Sequence, residues 1–339
     1  MEKMRILLVA GGWSTEREIS LKGAQVVAGA LRRRGHEVTE FDLADGFEKL
    51  MELAGQNDVA FLNLHGRPGE DGLVQAMLER VGCPYQGSGP AGSFLALNKA
   101  AAKAVMRRAG IRTPEYVFLP TQPAEEWQPA MPYPLFVKSN TGGSSIDLYR
   151  VRDAGELRQA LSSLFGKKQE VLIETLIAGR EVTCGVLGAP GAEKALPPVL
   201  IVPKREYFDF HDKYASDGAA ELCPAPLPED VVRRVQEEAV AAHRSLGLSG
   251  YSRTDFILTE SGDLFALEVN TLPGMTEASL VPKEAAAEGI AFGELLETLL
   301  QIAIDAKAAA ETKDAAACGA EMCQDGVKAG GNKPGKVCA

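Results

Sequence analysis

The length, composition and charge of the chain fit a globular protein with more than one domain. Its 339 residues are enough for about two or three domains, and 45% hydrophobic with 24% charged residues is an ordinary globular composition. A net charge of −10 argues against nucleic acid as the main partner, and no apolar run approaches membrane-spanning length. Since the apolar run at the N-terminus is also too short for a signal peptide, we expect a cytoplasmic protein with no nucleic-acid or membrane partner.

The first 94 residues alternate between strand and helix signals. An apolar strand at 5–10 runs into a Gly-Gly turn, and a helix follows to about Arg34. Further strands are predicted at 36–43 and 58–64. This order predicts an α/β unit with a parallel sheet, and ligands bind such sheets at the carboxyl ends of the strands.

Residues 95–178 are predicted to form a small mixed α/β unit. One helix over 92–110 begins it, and its basic side chains, including Lys99 and Lys103, are expected to be exposed. The other predicted elements are strands at 133–138 and 171–177 and a helix at 153–165.

From Glu181 the pattern becomes mostly β, so a third unit is predicted over 179–310. Its expected elements are strands at 182–187 and 199–202, a helix at 229–246, a hairpin at 252–271 and helices over 277–304. The stretch 204–221 lacks periodicity, and a long irregular segment in a compact domain is usually functional or disordered. Residues 311–339 turn to Ala, Gly and Lys, so we expect a disordered tail.

The predicted hairpin brings two acids together. A two-residue Ser261-Gly262 loop, or a symmetric four-residue loop, places Asp255 opposite Glu268 and Arg253 opposite Asn270. Like charges directly opposite each other destabilise a sheet, and a divalent cation such as Mg²⁺ would remove this conflict. For the two acids alone, an exposed polar sheet face is an equally good explanation.

Two loops after predicted strands combine residue types that suit ligand binding. The Gly-Gly-Ser-Ser run at 142–145 follows Lys138 and could cradle a phosphate group, with Lys99 adding positive charge. Taken alone, a flexible hairpin turn explains this run better. The loop 65–72 packs His, Arg, Glu and Asp among three glycines, which favours a site, although His65 could also bond only locally.

Two helix starts carry candidate ligands for charged groups. Glu16 lies beside Arg17 and Glu18, a cluster that could simply cap a helix, and Glu18 fits that structural role better than Glu16. Ser279 lies near a predicted helix N-terminus, where it would suit a carboxylate ligand. Without further context, a helix-capping serine is the preferred interpretation.

Taken together, these segments resemble those of D-alanine–D-alanine ligases in the ATP-grasp superfamily. The matching segments come in the family's order over roughly residues 4–305: GGWSTEREISL, LHGRPGEDG, GSGPAGSFLALNK, VKSNTGGSSI, DKYASD, SRTDF, LEVNTLPGMT and SLVP. The resemblance implies a mixed α/β (α+β) ATP-grasp fold behind an N-terminal parallel-sheet domain. It divides the chain into residues 1–94, 95–178 and 179–310, with a lid at 204–221 and the tail at 311–339.

The resemblance also implies a reaction and its amino-acid contacts. ATP would phosphorylate the carboxylate of one D-alanine, and the amine of a second D-alanine would attack the acyl phosphate to give D-alanyl-D-alanine for peptidoglycan synthesis. The implied contacts are Glu16 and His65 to the first D-alanine, Arg253 and the Gly274 backbone to the anionic intermediate, and Ser279 and Leu280 to the carboxylate of the second D-alanine.

Nucleotide and metal positions follow from the same resemblance. Those implied for ATP are Lys99, Lys138, Ser144, Ser145, Glu174, Ile177, Glu181 and Lys213, and those for two Mg²⁺ or Mn²⁺ ions are Asp255, Glu268 and Asn270. Ser144 would also be linked to Glu16 and Tyr214. Since Tyr214 in the lid resembles the dipeptide-forming members, D-alanine is the preferred second substrate.

The chain departs from the family pattern in three places. Ser139 replaces the usual Pro, Ile146-Asp147 replaces the usual Val-Gly, and Thr175 replaces a frequent Lys. These changes bear on nucleotide affinity more than on the type of reaction. The alternatives are a related ligase with another acceptor, such as D-lactate or D-serine, and a silent nucleotide-binding protein. Because the predicted metal ligands and Arg253 are intact, the silent alternative is disfavoured and we expect an enzyme. We also expect a homodimer.

Overall fold

The structure is a computed structural model that describes residues 2–143, 147–203 and 219–328, and of residues 313–328 it describes only the backbone helix. Three β-sheets lie within these residues, in the order of the chain. No helix in the described part is long and apolar enough to cross a membrane.

The N-terminal sheet is parallel, as predicted. Its strands are β1 (Arg5–Ala10), β2 (Glu37–Asp42) and β3 (Val59–Leu62), in the spatial order β2-β1-β3. The helices of this part are α1 (Arg17–Arg33), α2 (Phe47–Ala54) and α3 (Leu73–Arg80), with a 3₁₀ turn at Leu43–Asp45. Helices cover both faces of a parallel sheet, which explains why the central strand is a continuous apolar run from Ile6 to Ala10.

The prediction of one helix over 92–110 is wrong, and so is the exposure expected of Lys99 and Lys103, whereas Arg107 and Arg108 of the same stretch are exposed as predicted. Two helices occupy this stretch, α4 (Pro90–Leu97) and α5 (Lys99–Arg108), because the chain is extended at Asn98. The Asn98 side chain caps the second helix by accepting a hydrogen bond from Ala101 N at 3.1 Å. Lys99 and Lys103 are buried at 7% and 0% exposure, since both ammonium groups pair with acids of the cavity described below.

The second sheet is antiparallel and carries one helix. Its strands are β4 (Tyr116–Leu119), β5 (Leu135–Ser139), β6 (Tyr149–Val151) and β7 (Val171–Thr175), in the order β4-β7-β5-β6. Helix α6 (Ala154–Gly166) packs on the sheet through Leu157, Leu161 and Leu164. Asp153 caps this helix by accepting hydrogen bonds from two backbone N–H groups of its first turn.

The third sheet has six strands within the described residues. They are β8 (Arg180–Gly188), β9 (Lys194–Ala195), β10 (Val199–Val202), β11 (Ala220–Leu222), β12 (Gly250–Leu258) and β13 (Leu264–Asn270). The order is β11-β10-β8-β12-β13, with β9 paired to β8. Helix α7 (Glu229–Ser245) packs on this sheet, and α4 and α5 contribute to the same apolar core.

The hairpin of β12 and β13 has the predicted pairs but a different loop. Asp255 lies opposite Glu268 and Arg253 lies opposite Asn270, as expected. The loop is neither of the two proposed. Thr259 N donates to Asp263 O at 2.9 Å, which leaves three loop residues, and Gly262 takes the left-handed conformation at φ 83°. A β-bulge between Asp255 and Phe256 then shifts the register by one residue.

The last two helices pack on the N-terminal part of the chain. They are α8 (Leu280–Ala287) and α9 (Phe292–Lys328), and Leu295, Leu296, Leu299 and Leu300 join the core of the first sheet. The structure differs here from the predicted disordered tail at 311–339, because α9 continues to Lys328 through an Ala-rich stretch that favours helix. Residues 329–339 lie outside the described residues.

Candidate active site

A cavity of about 690 Å³ lies between the second and third sheets. Both sheets and α5 supply its polar lining, which includes Lys99, Lys138, Glu174, Glu181, Asp255 and Glu268. Its apolar lining includes Ile177, Leu200, Ile257 and Leu267. A deep cleft with apolar walls and a few convergent charges is the usual form of a small-molecule site.

Two lysines and one acid form a buried network on the floor of this cavity. Glu174 of β7 binds Lys103 Nζ through Oε1 and Lys138 Nζ through Oε2, both at 2.7 Å. Burial acts to raise the pKa of Glu174, but the two lysines outweigh it and the net shift is downward. Burial lowers the pKa of Lys103 to about 8. The sequence interpretation missed Lys103, although its spacing of four residues from Lys99 places both on one face of α5.

Lys99 lies one turn before Lys103 on α5 and contacts an acid of the third sheet. Its Nζ donates to Gly142 O at 2.5 Å and lies 3.3 Å from Glu268 Oε2. Lys138 interacts with the charges of Glu174 and Glu268. Burial acts to lower the pKa of Lys138, but Glu174 and Glu268 outweigh it, and the net shift is upward. Two cationic groups therefore converge beside the Gly142-Gly143 loop, as an anionic ligand requires.

The acids of β12 and β13 form the opposite wall. Arg253 binds both oxygens of Asp255 at 2.8 Å, and Thr183 Oγ1 donates to Asp255 Oδ1 at 2.6 Å. Asn270 Nδ2 donates to Asp255 Oδ2 at 3.2 Å. The two facing carboxylates at 255 and 268 are thus each balanced by a cation, Arg253 for one and Lys99 for the other.

The donor set on this wall fits a hard divalent cation. Asp255, Glu268 and Asn270 offer carboxylate and amide oxygens from one face of the sheet, which Mg²⁺ and Mn²⁺ prefer. Within the described residues no group of three or more His, Cys, Asp or Glu side chains is arranged to hold a metal ion. Turning the Asn270 amide would present Oδ1 in place of Nδ2.

Two loops of the N-terminal sheet reach the same region. Glu16 immediately precedes α1, and its Oε2 would lie 3.8 Å from a Cβ on Gly66 and 3.6 Å from a Cβ on Gly143. Its carboxylate therefore lies where the loop 65–72 meets the Gly142-Gly143 loop. Burial lowers the pKa of His65, Glu16 raises it and Arg253 lowers it, with a net downward shift that favours the neutral imidazole.

Glu70 is a further acid in this region that the sequence interpretation did not single out. It accepts a hydrogen bond from Gly66 N at 2.7 Å, which closes the loop on itself. Burial raises the pKa of Glu70 to about 7, and the charge of Glu16 raises it as well. The composition of the loop 65–72 already favoured a site there, and Glu70 belongs to that loop.

Gly274 and Ser279 lie together before α8. A Cβ on Gly274 would lie 3.2 Å from Ser279 Oγ. Ser279 makes no side-chain capping bond to α8, and its hydroxyl instead accepts from Thr276 N at 3.1 Å. Ser279 occupies the N-cap position, as the simpler interpretation expected, but its side chain does not cap the helix, which begins at Leu280. Helix N-termini favour carboxylates.

Four predicted site residues lie outside the described residues. They are Ser144 and Ser145, after the Gly142-Gly143 loop, and Lys213 and Tyr214, in the predicted lid.

Ser139, one of the departures from the family pattern, packs beneath the glycine loop. A Cβ on Gly142 would lie 2.8 Å from the Cβ of Ser139.

Fold and site together define a class. Two antiparallel sheets that close on a cavity lined by lysines and facing acids, preceded by a parallel-sheet domain, are the architecture of the ATP-grasp ligases.

The comparisons with known proteins identify the family. The family model "D-ala D-ala ligase C-terminus" matches residues 105–301. A D-alanine–D-alanine ligase from Desulfovibrio desulfuricans is 57% identical over 302 residues, which is 89% of this chain and 97% of the relative. A crystal structure of the D-alanine–D-alanine ligase from Bacillus anthracis complexed with ATP matches with a TM-score of 0.78 at 33% identity, over 90% of this chain and 98% of that one. A VanG D-Ala:D-Ser ligase from Enterococcus faecalis matches with a TM-score of 0.75 at 27% identity, over 89% and 99%. The chain belongs to the D-alanine–D-alanine ligase family.

Proposed function

We propose that this chain joins two D-alanine molecules to D-alanyl-D-alanine, with conversion of ATP to ADP and phosphate, for peptidoglycan precursor synthesis. Beside the family membership, one structural observation carries the proposal. Two lysines, two facing acids and Arg253 line or adjoin one cavity, and the loops with Glu16 and His65 reach its edge. A phosphate donor and a small amino acid can therefore meet there.

The lining of the cavity supports an assignment of residues to each part of ATP. Lys99 and Lys138 would neutralise the phosphates beside the glycine loop, with Ser144, Ser145 and Lys213 as further contacts. Ile177 and Glu181 would contact the adenosine. Because the Glu174 carboxylate is already held by two lysines, we assign its adenosine contact to the backbone and a structural role to the side chain.

Asp255, Glu268 and Asn270 would hold two Mg²⁺ ions, or Mn²⁺. Bound there, the metal supplies positive charge to the phosphate oxygens and lowers the repulsion that an attacking carboxylate meets. The chain's own contribution at this wall is orientation. Thr183 fixes the Asp255 carboxylate, and Lys99 draws Glu268 towards the phosphate side of the cavity.

The remaining residues would orient the two amino acids. Glu16 would accept hydrogen bonds from the ammonium group of the first D-alanine, and neutral His65 would lie near its carboxylate. Arg253 and Gly274 N would stabilise the negative oxygen of the tetrahedral intermediate that forms when the second amine attacks the acyl phosphate. Ser279 and the start of α8 at Leu280 would hold the carboxylate of the second D-alanine. Holding both reactants in this order is a large part of the catalysis.

D-Alanine is the proposed acceptor because of Tyr214. The fold alone does not separate acceptors, since a D-Ala:D-Ser ligase matches nearly as well as a D-alanine–D-alanine ligase. The Lys213-Tyr214 pair in the proposed lid resembles the dipeptide-forming members of the family, and the resemblance implies that Ser144 would link Tyr214 to Glu16. D-Lactate and D-serine are the competing acceptors.

An ATP-dependent phosphate-release assay with a panel of D-amino and D-hydroxy acids tests the proposal. Release should require a D-amino acid and Mg²⁺ or Mn²⁺, and D-alanine alone should give D-alanyl-D-alanine by mass spectrometry. Activity with D-lactate but not D-alanine at neutral pH would refute the acceptor assignment. Binding of ATP without any D-alanine-dependent phosphate would refute the ligase assignment.

We also propose a cytoplasmic location and a homodimer. Cys83, Cys184 and Cys223 are free thiols, which suits a reducing compartment that also supplies ATP.

Sedimentation equilibrium of the purified chain tests the proposed homodimer. A mass of a single 36.1 kDa chain at micromolar concentration would contradict it.

A further inference from the structure

Glu284 is an acid of α8 that is completely buried against β8. Its Oε2 accepts a hydrogen bond from Gly185 N at 2.8 Å. A Cβ on Gly185 would lie only 2.2 Å from that oxygen, so the carboxyl group takes the space that a side chain at position 185 would fill. Glycine at 185 and glutamate at 284 are therefore fitted to each other.

The register of the third sheet places this carboxyl group beside Arg253. Gly185 of β8 lies directly opposite Arg253 of β12, and on the other side Arg253 lies opposite Asn270 of β13. Residues that lie directly opposite each other in an antiparallel pair point to the same face. Because the carboxyl group stands in for the side chain of residue 185, Glu284 lies on the face that carries Arg253 and the proposed metal ligands.

The charges around the two residues agree with this placement. Burial acts to lower the pKa of Arg253, but Asp255, Glu268 and Glu284 outweigh it, and the net shift is upward. Burial raises the pKa of Glu284 well above its ordinary range, while Arg253 and Gly185 N lower it. Oε1 of Glu284 has no hydrogen-bond partner in the described part of the chain. One carboxyl oxygen is anchored, and the other is uncommitted near a guanidinium group.

Arg253 needs a second hydrogen-bond acceptor when a metal ion and the substrates occupy the site. Both of its described hydrogen bonds go to Asp255, which is also a proposed metal ligand. Carboxylate oxygens that bind a metal are weaker acceptors, and a buried guanidinium left without acceptors is costly. A neighbouring carboxyl group in a fixed position would prevent this loss.

We propose that Glu284 is a positioning residue for Arg253, holding the guanidinium in place while Arg253 changes partners from Asp255 to the reacting carboxyl group. The proposal rests on the ligase function proposed above and adds to it a residue that touches neither substrate. No signal in the sequence pointed to Glu284, because only the sheet register brings it to Arg253.

Three variants separate positioning from simple packing. Glu284→Gln keeps the shape and an acceptor oxygen, so kcat should remain within about twofold of wild type. Glu284→Ala should lower kcat about tenfold with the KM for ATP unchanged, since Arg253 acts on the intermediate. The double variant Gly185→Ala/Glu284→Ala refills the space without an oxygen. It should regain part of the melting temperature that Glu284→Ala loses, but none of the kcat, and it keeps the test open if the single variant folds poorly.

A second measurement does not depend on turnover. In the protein loaded with Mg²⁺ and ADP, where Asp255 is a proposed metal ligand, the Nε–H proton of Arg253 should exchange slowly with solvent, and its NMR signal can be assigned by its loss in Arg253→Lys. Exchange should become at least about tenfold faster in the double variant and stay near wild type in Glu284→Gln.

Unchanged kcat and unchanged Nε–H exchange in the double variant would overturn the proposal and leave Glu284 as a packing residue. If the wild-type protein releases no phosphate with D-alanine, the proposed function fails, whereas the exchange comparison still decides whether Glu284 holds Arg253.

Discussion

Glu174→Gln should strongly destabilise the protein and weaken ATP binding. The carboxylate bridges Lys103, which is completely buried, and Lys138, with both Nζ–Oε distances at 2.7 Å. The amide would leave two ammonium groups side by side without a paired carboxylate, with only the charge of Glu268 still acting on both. Removing one partner of a buried ion pair costs about 3–5 kcal/mol, and this acid serves two lysines, so the upper end of that range is expected. In the fraction that folds, Lys138 would lose its anchor at the phosphate side of the cavity, and the KM for ATP should rise about tenfold.

Lys103→Met is the matched comparison, because it removes the other end of the same contact. Glu174 would keep Lys138 as its partner, so the loss should be smaller, about 1–3 kcal/mol. The double variant should be more stable than Glu174→Gln alone, since no uncompensated charge would remain at position 103. Urea unfolding followed by circular dichroism at pH 7.5 gives the free energy of unfolding for each protein. If Glu174→Gln costs no more than Lys103→Met, the carboxylate is not the centre of the network, and the reasoning fails.

Three further outcomes are expected. Glu268→Gln should lower turnover at least about a hundredfold and weaken Mn²⁺ binding measured by calorimetry. Glu260→Gln, at the exposed tip of the same hairpin, should do neither. Near-normal turnover of Glu268→Gln would contradict the metal assignment. Tyr214→Phe should change acceptor choice or lid closure more than ATP affinity, as kcat/KM values for D-alanine and D-lactate would reveal. His243 is buried against Ser252 and burial lowers its pKa to about 4, below the ordinary value of 6.5. The unfolded chain therefore binds a proton first as pH falls, and stability should decline between about pH 6.5 and 4 by up to about 3 kcal/mol. In His243→Phe that part of the decline should vanish.

The pairs in the hairpin could be predicted because alternation along a strand is a local property. Once β12 and β13 are taken as antiparallel neighbours, the choice of register decides whether Asp255 meets Glu268, and the like-charge conflict itself pointed to a site. The parallel N-terminal sheet was predictable for a similar reason, since strand, loop and helix signals alternate strictly there.

The burial of Lys99 and Lys103 could not be predicted from the helix that carries them. A lysine is normally exposed, and α5 carries two on one face without an acidic residue in its own sequence that could pair with them in the interior. Their partners, Glu268 and Glu174, come from two different sheets far along the chain. The same limit applies to Glu284, whose position is set by the pairing of β8 with β12 and not by its helix.

The loop of the hairpin shows how a correct pairing can follow from a wrong turn. With the observed three-residue loop and no irregularity, Asp255 would lie opposite Leu267, and Glu268 would point to the other face of the sheet. The bulge inserts one residue in β13 at this point, so that Leu267 and Glu268 together face Asp255 and both line the cavity. An apolar wall and an acid thus come from adjacent residues, which an unbroken strand would send to opposite faces. The irregularity lies where the site needs two neighbouring side chains, and not at the tip of the hairpin.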